Sequence, residues 1–267
     1  MKRTLLILLA VSTAAQGAEH DHAAHAAPST PAVVETNAAA TAPSVPADEA
    51  HEHLMAEHGG SLNFLVLGER LEQSDADSRT WEMQGWLGYD YDKLWLKTEG
   101  EYDTEIHATE HSEVQALYGR AIAPYWDLQA GLRRDDAGSE ARTHAVIGLM
   151  GLAPYWFEVD AAAFVSEQGK VSARLEAEYE LRFTQKLFLQ PRLELNYSFA
   201  DDSQMRIGKG LSEASLGLRL RYEWRRELAP YIGIEWARSY GDTAGLLRAA
   251  GGEREDVYAV AGLRFWY

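Results

Sequence analysis

The sequence predicts an all-β protein: a transmembrane, antiparallel, up-and-down β-barrel of about 12 strands with a disordered, His-rich N-terminal tail. Apolar and polar residues alternate with a period of two in runs of ten to twelve residues. Short connections alternate with longer polar ones, and the chain ends on the aromatic run "LRFWY". Together these observations favour a membrane barrel over a soluble β-sandwich, whose strands are usually shorter.

Residues 1–18 have the layout of a secretory signal peptide. A basic start (Lys2, Arg3) precedes the apolar run "TLLILLAVSTAA", which is too short to cross a bilayer, and small residues follow as far as Ala18. This arrangement is typical of a cleaved export signal. We therefore expect an exported chain, and the absence of cysteine means that burial or a closed sheet must stabilise it.

Residues 19–60 form the predicted tail. They contain no Lys, no Arg and no aromatic residue, whereas every Trp, Tyr and Phe lies beyond residue 60. Such a segment cannot bury enough apolar surface to offset its chain entropy, so we expect it to be disordered. The barrel is then predicted to occupy residues 61–267.

The strands of the barrel follow the alternating pattern. In "VSARLEAEYEL", one parity from Val171 to Leu181 is apolar, and the other carries charges such as Arg174 and Glu176. Strict alternation over eleven residues argues against a helix, although the composition alone would permit one. Twelve strands are predicted near residues 62–72, 80–90, 94–103, 112–122, 126–134, 142–152, 156–165, 171–182, 187–198, 212–224, 230–238 and 256–267.

The connections predict how the barrel is oriented. An even strand number returns both chain ends to the periplasm, where short turns are expected, while longer loops face outward. Three of the short turns share the sequence Ala-Pro-Tyr, ending at Tyr125, Tyr155 and Tyr231. This repeat predicts an aromatic rim at one membrane interface.

Four long segments resemble the copper resistance protein B family of Gram-negative outer membranes. They are "LGYDYDKLWLKTEGEYD", "LYGRAIAPYWDLQAGLRRD", "GLAPYWFEVDAAAFVSEQGKVSARLEAEYELRFTQKLFLQPRLE" and "LGLRLRYEWRRELAPYIGIEWARSYGDTA". The resemblance covers residues 60 to 267 and implies a twelve-stranded barrel, copper handling and a periplasmic multicopper oxidase as a functional partner. Tails in this family tend to be rich in Met and His, but Met55 is the one methionine of this tail.

Two clusters in the tail carry candidate metal ligands. Each brings three imidazoles into a short stretch beside carboxylates, and a free N-terminal amine after signal cleavage would add a donor. Imidazole suits Cu(II), zinc and nickel, whereas several thioethers would favour Cu(I). The resemblance implies copper, and the imidazoles favour Cu(II) over Cu(I). The candidate ligands are His20, His22, His25, His51, His53, Met55 and His58. An inert spacer is the alternative.

Other candidate ligands lie within the barrel. His107 and His111 are predicted in an external loop, as a first binding site for metal or simply as solvated side chains. His144 and Met150 share one parity of a strand that is apolar on both sides, so the sequence does not orient them, and a structural role is favoured for His144.

The polar parity of the strands predicts a lumen lined by charges of both signs. Most of these charges are expected to form ion pairs that fill the barrel, leaving a narrow path or none. The lumen charges named from the sequence are Glu99, Glu101, Glu113, Glu176, Glu178, Arg192, Arg219 and Arg221.

Composition limits the possible functions. With 41 acidic and 25 basic residues, the formal net charge is −16, which disfavours nucleic-acid binding and suits cations. An outer-membrane lipase would need Ser, His and an orienting polar residue on the lipid face, and no such motif surrounds His144, so we expect no enzyme. The predicted partners are outer-membrane lipid and copper, with the tail in the periplasm; a general pore or structural barrel is the alternative.

Overall fold

The structure is a computed structural model, and it describes residues 61–138 and 140–267. The expectations for the signal peptide and for the tail therefore lie outside the described residues. The strands are β1 (Asn63–Ser74), β2 (Ser78–Gly88), β3 (Asp92–Asp103), β4 (Ala108–Ala123), β5 (Trp126–Ala137), β6 (Glu140–Ala153), β7 (Phe157–Ser166), β8 (Val171–Glu178), β9 (Leu181–Arg182), β10 (Leu187–Ser198), β11 (Gly210–Tyr222), β12 (Leu228–Ser239) and β13 (Glu255–Trp266).

The strands form one closed antiparallel barrel. Neighbouring strands in sequence pair with each other, except that β8 and β9 both pair with β10, and β1 pairs with β13, with Leu67 opposite Trp266, which closes the sheet among the described residues. Both β8 and β9 pair with β10 and are separated only by residues 179 and 180. They are two segments of one barrel strand, which gives the predicted twelve positions around the barrel.

Alternation along the strands separates the lipid face from the lumen. In β11, Leu216, Leu218 and Leu220 are exposed on the outer surface, whereas Arg219 and Arg221 are buried inside. Since successive side chains of a strand point to opposite faces, this pattern follows from the sequence. An apolar exterior around a charged interior, closed on itself, is the architecture of a transmembrane β-barrel.

The two ends of the barrel differ. We call the end that holds the start of β1 and the end of β13 the terminal end, and the opposite one the loop end. The terminal end has short connections, one of them the 3₁₀ turn Pro154–Trp156, and the loop end carries the longest ones, including helix α1 (Gly241–Ala249). Among the described residues, no helix has both the length and the apolar character needed to span a bilayer.

Two of the loops expected from the sequence are instead paired strand. The first is shortened because β4 already begins at Ala108. The second is shortened because β5 extends to Ala137 and β6 begins at Glu140, which leaves a tight hairpin with Gly138 at φ 62°. Glycine adopts such positive φ values without steric cost. A barrel strand can extend beyond the lipid into water, where its residues are polar like those of a loop. For this reason the polar composition of these segments predicted loops instead of strand.

The aromatic rim is only partly as predicted. Tyr125 and Tyr155 lie in turns at the terminal end and are strongly exposed. Tyr231, however, lies inside β12 with 6% of its surface exposed, because the preceding turn closes earlier in the chain and places it on the lumen parity. The third Ala-Pro-Tyr sequence is therefore strand and not turn, and the prediction for Tyr231 was wrong.

One sector of the lumen is apolar. Trp95, Leu117, Val146 and Phe164 are buried together there, with Met150 packed against them. These side chains belong to the lumen-facing residues of β3, β4, β6 and β7. They explain why β6 is apolar on both sides: one side meets lipid and the other meets this cluster.

Candidate functional site in the barrel lumen

Buried arginines organise the lumen. Arg192, 3% exposed, lies within salt-bridge distance of four carboxylates that belong to three strands. The register places Glu178 directly opposite Arg192 and Glu176 opposite Glu194, so the polar parities of β8 and β10 meet inside the barrel. The four partners are Glu82 at 3.0 Å, Glu176 at 2.6 Å, Glu178 at 3.2 Å and Glu194 at 3.5 Å.

Arg174 holds a second set of carboxylates nearer the loop end. Its Nη1 lies 2.7 Å from Glu99 Oε1 and its Nη2 lies 2.9 Å from Glu113 Oε2, so one guanidinium bridges the two carboxylates. Two further carboxylates are close by, with Glu176 at 3.8 Å and Glu194 at 3.7 Å. Because Arg174 and Arg192 share these two glutamates, the charges form one connected network.

The remaining lumen charges named from the sequence occupy other parts of the barrel wall. Arg219 binds Glu72 and Glu235, and Arg221 lies close to Glu180. Glu101 is half-buried opposite His111 in the register of β3 and β4, and no ion pair involves it among the described residues. The sequence did not show which charges pair, because partners lie on distant strands.

Two neighbouring cavities in the lumen meet at Phe164 and Arg174. The larger, about 430 Å³, is lined by Lys97, Met150 and Asp160 together with Glu99, Glu113 and Glu176. The smaller, about 260 Å³, lies towards the loop end and is lined by His111, Asp135, His144 and Met205. Phe164 and Arg174 line both cavities, so these two side chains form the boundary between them.

The boundary is held by stacking and ion pairing. Phe164 is 3% exposed, and the guanidinium carbon of Arg133 lies 4.4 Å from the centroid of its ring. Arg133 in turn binds Glu113 at 2.7 Å and Asp135 through two hydrogen bonds of 2.6 and 3.0 Å. Nothing in the sequence pattern singled out Phe164 or Asp135, since their roles depend on contacts between strands.

Three potential metal ligands converge at this boundary. Donor atoms of Glu99, His111 and Glu113 all lie within 4.8 Å of one another. Glu99 and Glu113 are cross-strand partners in β3 and β4, and His111 lies two residues before Glu113, on the same face. One imidazole and two carboxylates can hold a divalent transition-metal ion such as Cu(II) or Zn²⁺.

The other barrel ligands named from the sequence are dispersed. His107 lies in the exposed turn before β4, at φ 54°, whereas His111 is in the strand and faces the lumen, so the shared external loop expected for them is not formed. His144 faces the smaller cavity, with Nδ1 3.6 Å from Asp135 Oδ2. Met150 lines the larger cavity, and its sulfur lies 3.8 Å from Lys97 Nζ.

The loop between β10 and β11 folds over the mouth of the smaller cavity. Asp202, 7% exposed, binds Arg142 at 3.0 Å and Lys170 at 3.0 Å, and Met205 and Ile207 follow it along the cavity wall. The sequence suggested only a polar external loop here. The tail ligands, His20 to His58, lie outside the described residues.

A closed barrel with an apolar outer surface and a lumen of paired charges belongs to the class of outer-membrane β-barrels. Within this class, the model of the family described as "Copper resistance protein B precursor (CopB)" matches residues 62–267. The chain belongs to the copper resistance protein B family, which confirms the resemblance noted in the sequence.

Curated relatives agree with this assignment. The chain is 43% identical over 213 residues to "Copper resistance protein B" of Escherichia coli, covering 79% of this chain and 71% of that protein. It is 41% identical to "Copper resistance protein B homolog" of Pseudomonas syringae pv. tomato (strain ATCC BAA-871 / DC3000), covering 79% and 72%. Family membership supports a role in copper resistance.

Solved structures similar to this chain include two porins. The NanC porin structure aligns with a TM-score of 0.48 and 12% identity, covering 77% of this chain and 99% of that chain. The KdgM porin aligns with a TM-score of 0.45 and 13% identity, covering 75% and 98%.

Proposed function

We propose that the protein is a copper-binding outer-membrane barrel whose His-rich tail collects Cu(II) and whose barrel passes the ion or anchors the tail. The observation that carries this proposal is the presence of six histidines within residues 19–60 of a chain from the copper resistance protein B family. Neither feature alone would suffice, since imidazoles also bind zinc and nickel.

The arrangement of the tail ligands supports capture with rapid exchange. His20, His22 and His25 form one group, and His51, His53 and His58 form another, each beside acidic residues. A disordered segment must be ordered around its ion, and this entropic cost lowers affinity. We therefore propose moderate affinity with ready transfer of copper to a partner, and the family resemblance suggests a periplasmic multicopper oxidase.

Barrel geometry supports a periplasmic tail. Asn63 and Trp266 lie at the terminal end, where the connections are short, and single-chain barrels place their short turns in the periplasm. The tail precedes β1 and would therefore begin its path on that side. The loop end, covered by the segment around Asp202, would face outward.

A general pore is the alternative, in which the tail only tethers the barrel. The lumen weighs against free diffusion of large solutes, since Phe164 and the buried arginine network separate cavities of about 430 and 260 Å³. We propose no enzymatic role, because copper handling needs only ligands and a route for the ion.

The test is copper flux into liposomes that contain the purified full-length chain, with cobalt and zinc as competitors. One variant replaces all six tail histidines by alanine, and its matched control replaces Glu19, Asp21, Glu52 and Glu57 by the corresponding amides. We expect copper-selective flux or copper binding whose tail-dependent part the alanine variant loses and the amide variant largely retains.

Each outcome has a distinct meaning. Flux that depends on the tail histidines would make the tail a loading site, and binding without flux would make the barrel an anchor. Equal copper binding and flux by the natural chain and by the alanine variant would contradict the proposed role of the tail.

A further inference from the structure

We propose that Glu99, His111 and Glu113 form a second metal site, inside the barrel, for one divalent transition-metal ion. This site lies on strands β3 and β4 and is separate from the tail. Only the choice of copper as the ion rests on the proposed function, and the site itself follows from the geometry and charge of the lumen.

The donor set suits such an ion. The three ligand atoms lie within 4.8 Å of one another, and bonds of about 2.0–2.2 Å to a metal would draw them closer through side-chain rotations alone. The strand pairing fixes their backbone positions, because Glu99 and Glu113 are direct cross-strand neighbours. The imidazole distinguishes this cluster from the purely acidic groups elsewhere in the lumen.

The surrounding charge favours an additional cation. The connected ion-pair network joins four arginines to seven carboxylates, so negative charge is in excess. Its members are Arg70, Arg133, Arg174 and Arg192 with Glu82, Glu99, Glu113, Asp135, Glu176, Glu178 and Glu194. In the low dielectric of a buried site, uncompensated charge is costly, and a bound divalent ion reduces that cost.

Arg174 and Arg133 are the two cations that a metal ion must displace from these carboxylates. Arg174 now bridges Glu99 and Glu113, yet Glu176 and Glu194 lie only 3.8 and 3.7 Å from its guanidinium. A small rotation would transfer Arg174 to these two carboxylates and free Glu99, whereas Glu113 would still contact Arg133 at 2.7 Å, so Arg133 must also leave Glu113. Arg133 can remain on Asp135, to which it makes two hydrogen bonds.

The position of the site gives it a role in passage. His111 lines the cavity at the loop end, whereas Glu99 and Glu113 line the larger cavity. An ion bound by all three would therefore sit at the boundary that Phe164 and Arg174 form. The exchange of Arg174 for a metal ion would act as a gate that opens for a divalent cation.

The experiment uses the full-length chain with the six tail histidines replaced by alanine, so that the barrel is observed without the tail imidazoles. Cu(II) is titrated, and stoichiometry, affinity and the electron paramagnetic resonance spectrum are recorded. We expect one Cu(II) per chain with nitrogen hyperfine coupling from a single imidazole. Adding His111→Ala should lower the affinity at least about tenfold and remove that coupling.

Two further variants separate a ligand role from a structural one. His107→Ala, in the exposed turn four residues earlier, is the matched control and should leave affinity unchanged. Arg174→Gln should raise the affinity, because it removes one of the two competing cations, whereas a loss of folding would lower it. The heat-dependent shift of the folded barrel in gel electrophoresis checks the fold of each variant.

Absence of stoichiometric Cu(II) in the chain without tail histidines would overturn this site. Equal effects of His111→Ala and His107→Ala would also overturn it, and a folded Arg174→Gln variant of lower affinity would contradict the gate. If this chain binds no copper while the natural chain does, the tail function stands and the lumen site fails. If both chains bind the same single Cu(II), the lumen site stands and the tail function fails.

Discussion

Glu72 and Arg219 are 147 residues apart in the sequence and are joined in the barrel by two hydrogen bonds of 2.5 and 3.1 Å. Their side chains are 4% and 5% exposed, so the pair is fully enclosed. It links β1 to β11, and Glu235 of β12, 2.8 Å from Arg219, completes a triad. These ion pairs therefore stabilise, from the lumen side, the region where β1 and β13 close the barrel.

Replacing Arg219 by Met should destabilise the barrel by about 3–5 kcal/mol, because two buried carboxylates lose their shared partner. Equilibrium unfolding by urea in lipid vesicles measures the change. Arg134→Ala is the control, since its pair with Asp136 is about half exposed, and it should cost less than about 1 kcal/mol. Similar losses in the two variants would contradict a bracing role for the triad.

Phe164→Ala should join the two lumen cavities and raise ion conductance in planar lipid bilayers. The ring lies between the cavities and stacks on Arg133, so its removal leaves a gap that the stiff barrel wall cannot close. Val165→Ala, one residue further on and facing lipid, should leave conductance unchanged. A Phe164→Ala barrel that folds but conducts as the natural chain does would show that the boundary lies elsewhere.

Asp202→Asn should loosen the loop between β10 and β11. The carboxylate binds both Arg142 and Lys170, and a neutral amide would lose the charge in both contacts. We expect faster proteolysis within residues 199–209 and unchanged stability of the barrel strands. Asp136→Asn, at an exposed position of the same end, serves as the control. Equal cleavage rates in both variants would contradict a role of Asp202 in holding the loop.

The tail should hold Cu(II) in preference to Cu(I). Its donors are imidazoles and carboxylates, with Met55 as the one thioether, and such ligands suit the oxidised ion. Copper loading of the full-length chain in air should therefore exceed loading under anaerobic ascorbate. Equal loading in the two states, or stronger loading under ascorbate, would reject this preference, and Met55→Ala should change neither value much.

Several features of the barrel were readable without coordinates because they depend on neighbouring residues. The alternation in β11 assigned Leu218 to lipid and Arg219 to the lumen, as the structure confirms. Loop boundaries were less predictable. Contact with water selects polar residues both in a loop and in a strand that extends beyond the lipid. The polar composition around Gly138 therefore could not distinguish a strand from a loop.

The histidines show where sequence reasoning ends. His144 could not be oriented, because β6 faces lipid on one side and the apolar cluster of Phe164 and Trp95 on the other. His111 was placed in a loop near His107, whereas the structure sets it beside Glu99 and Glu113. In both cases the deciding contacts come from other strands.

The sequence by itself determined the period of two, the lipid-facing side of strands with one polar face such as β11, the charge inside the barrel and the ligand types in the tail. These properties follow from local backbone geometry and residue chemistry. The tertiary structure decided which charges pair, where Phe164 divides the lumen and which residues surround His111. Barrel closure and strand register fix those contacts, and a shift of register would change every partner across the lumen.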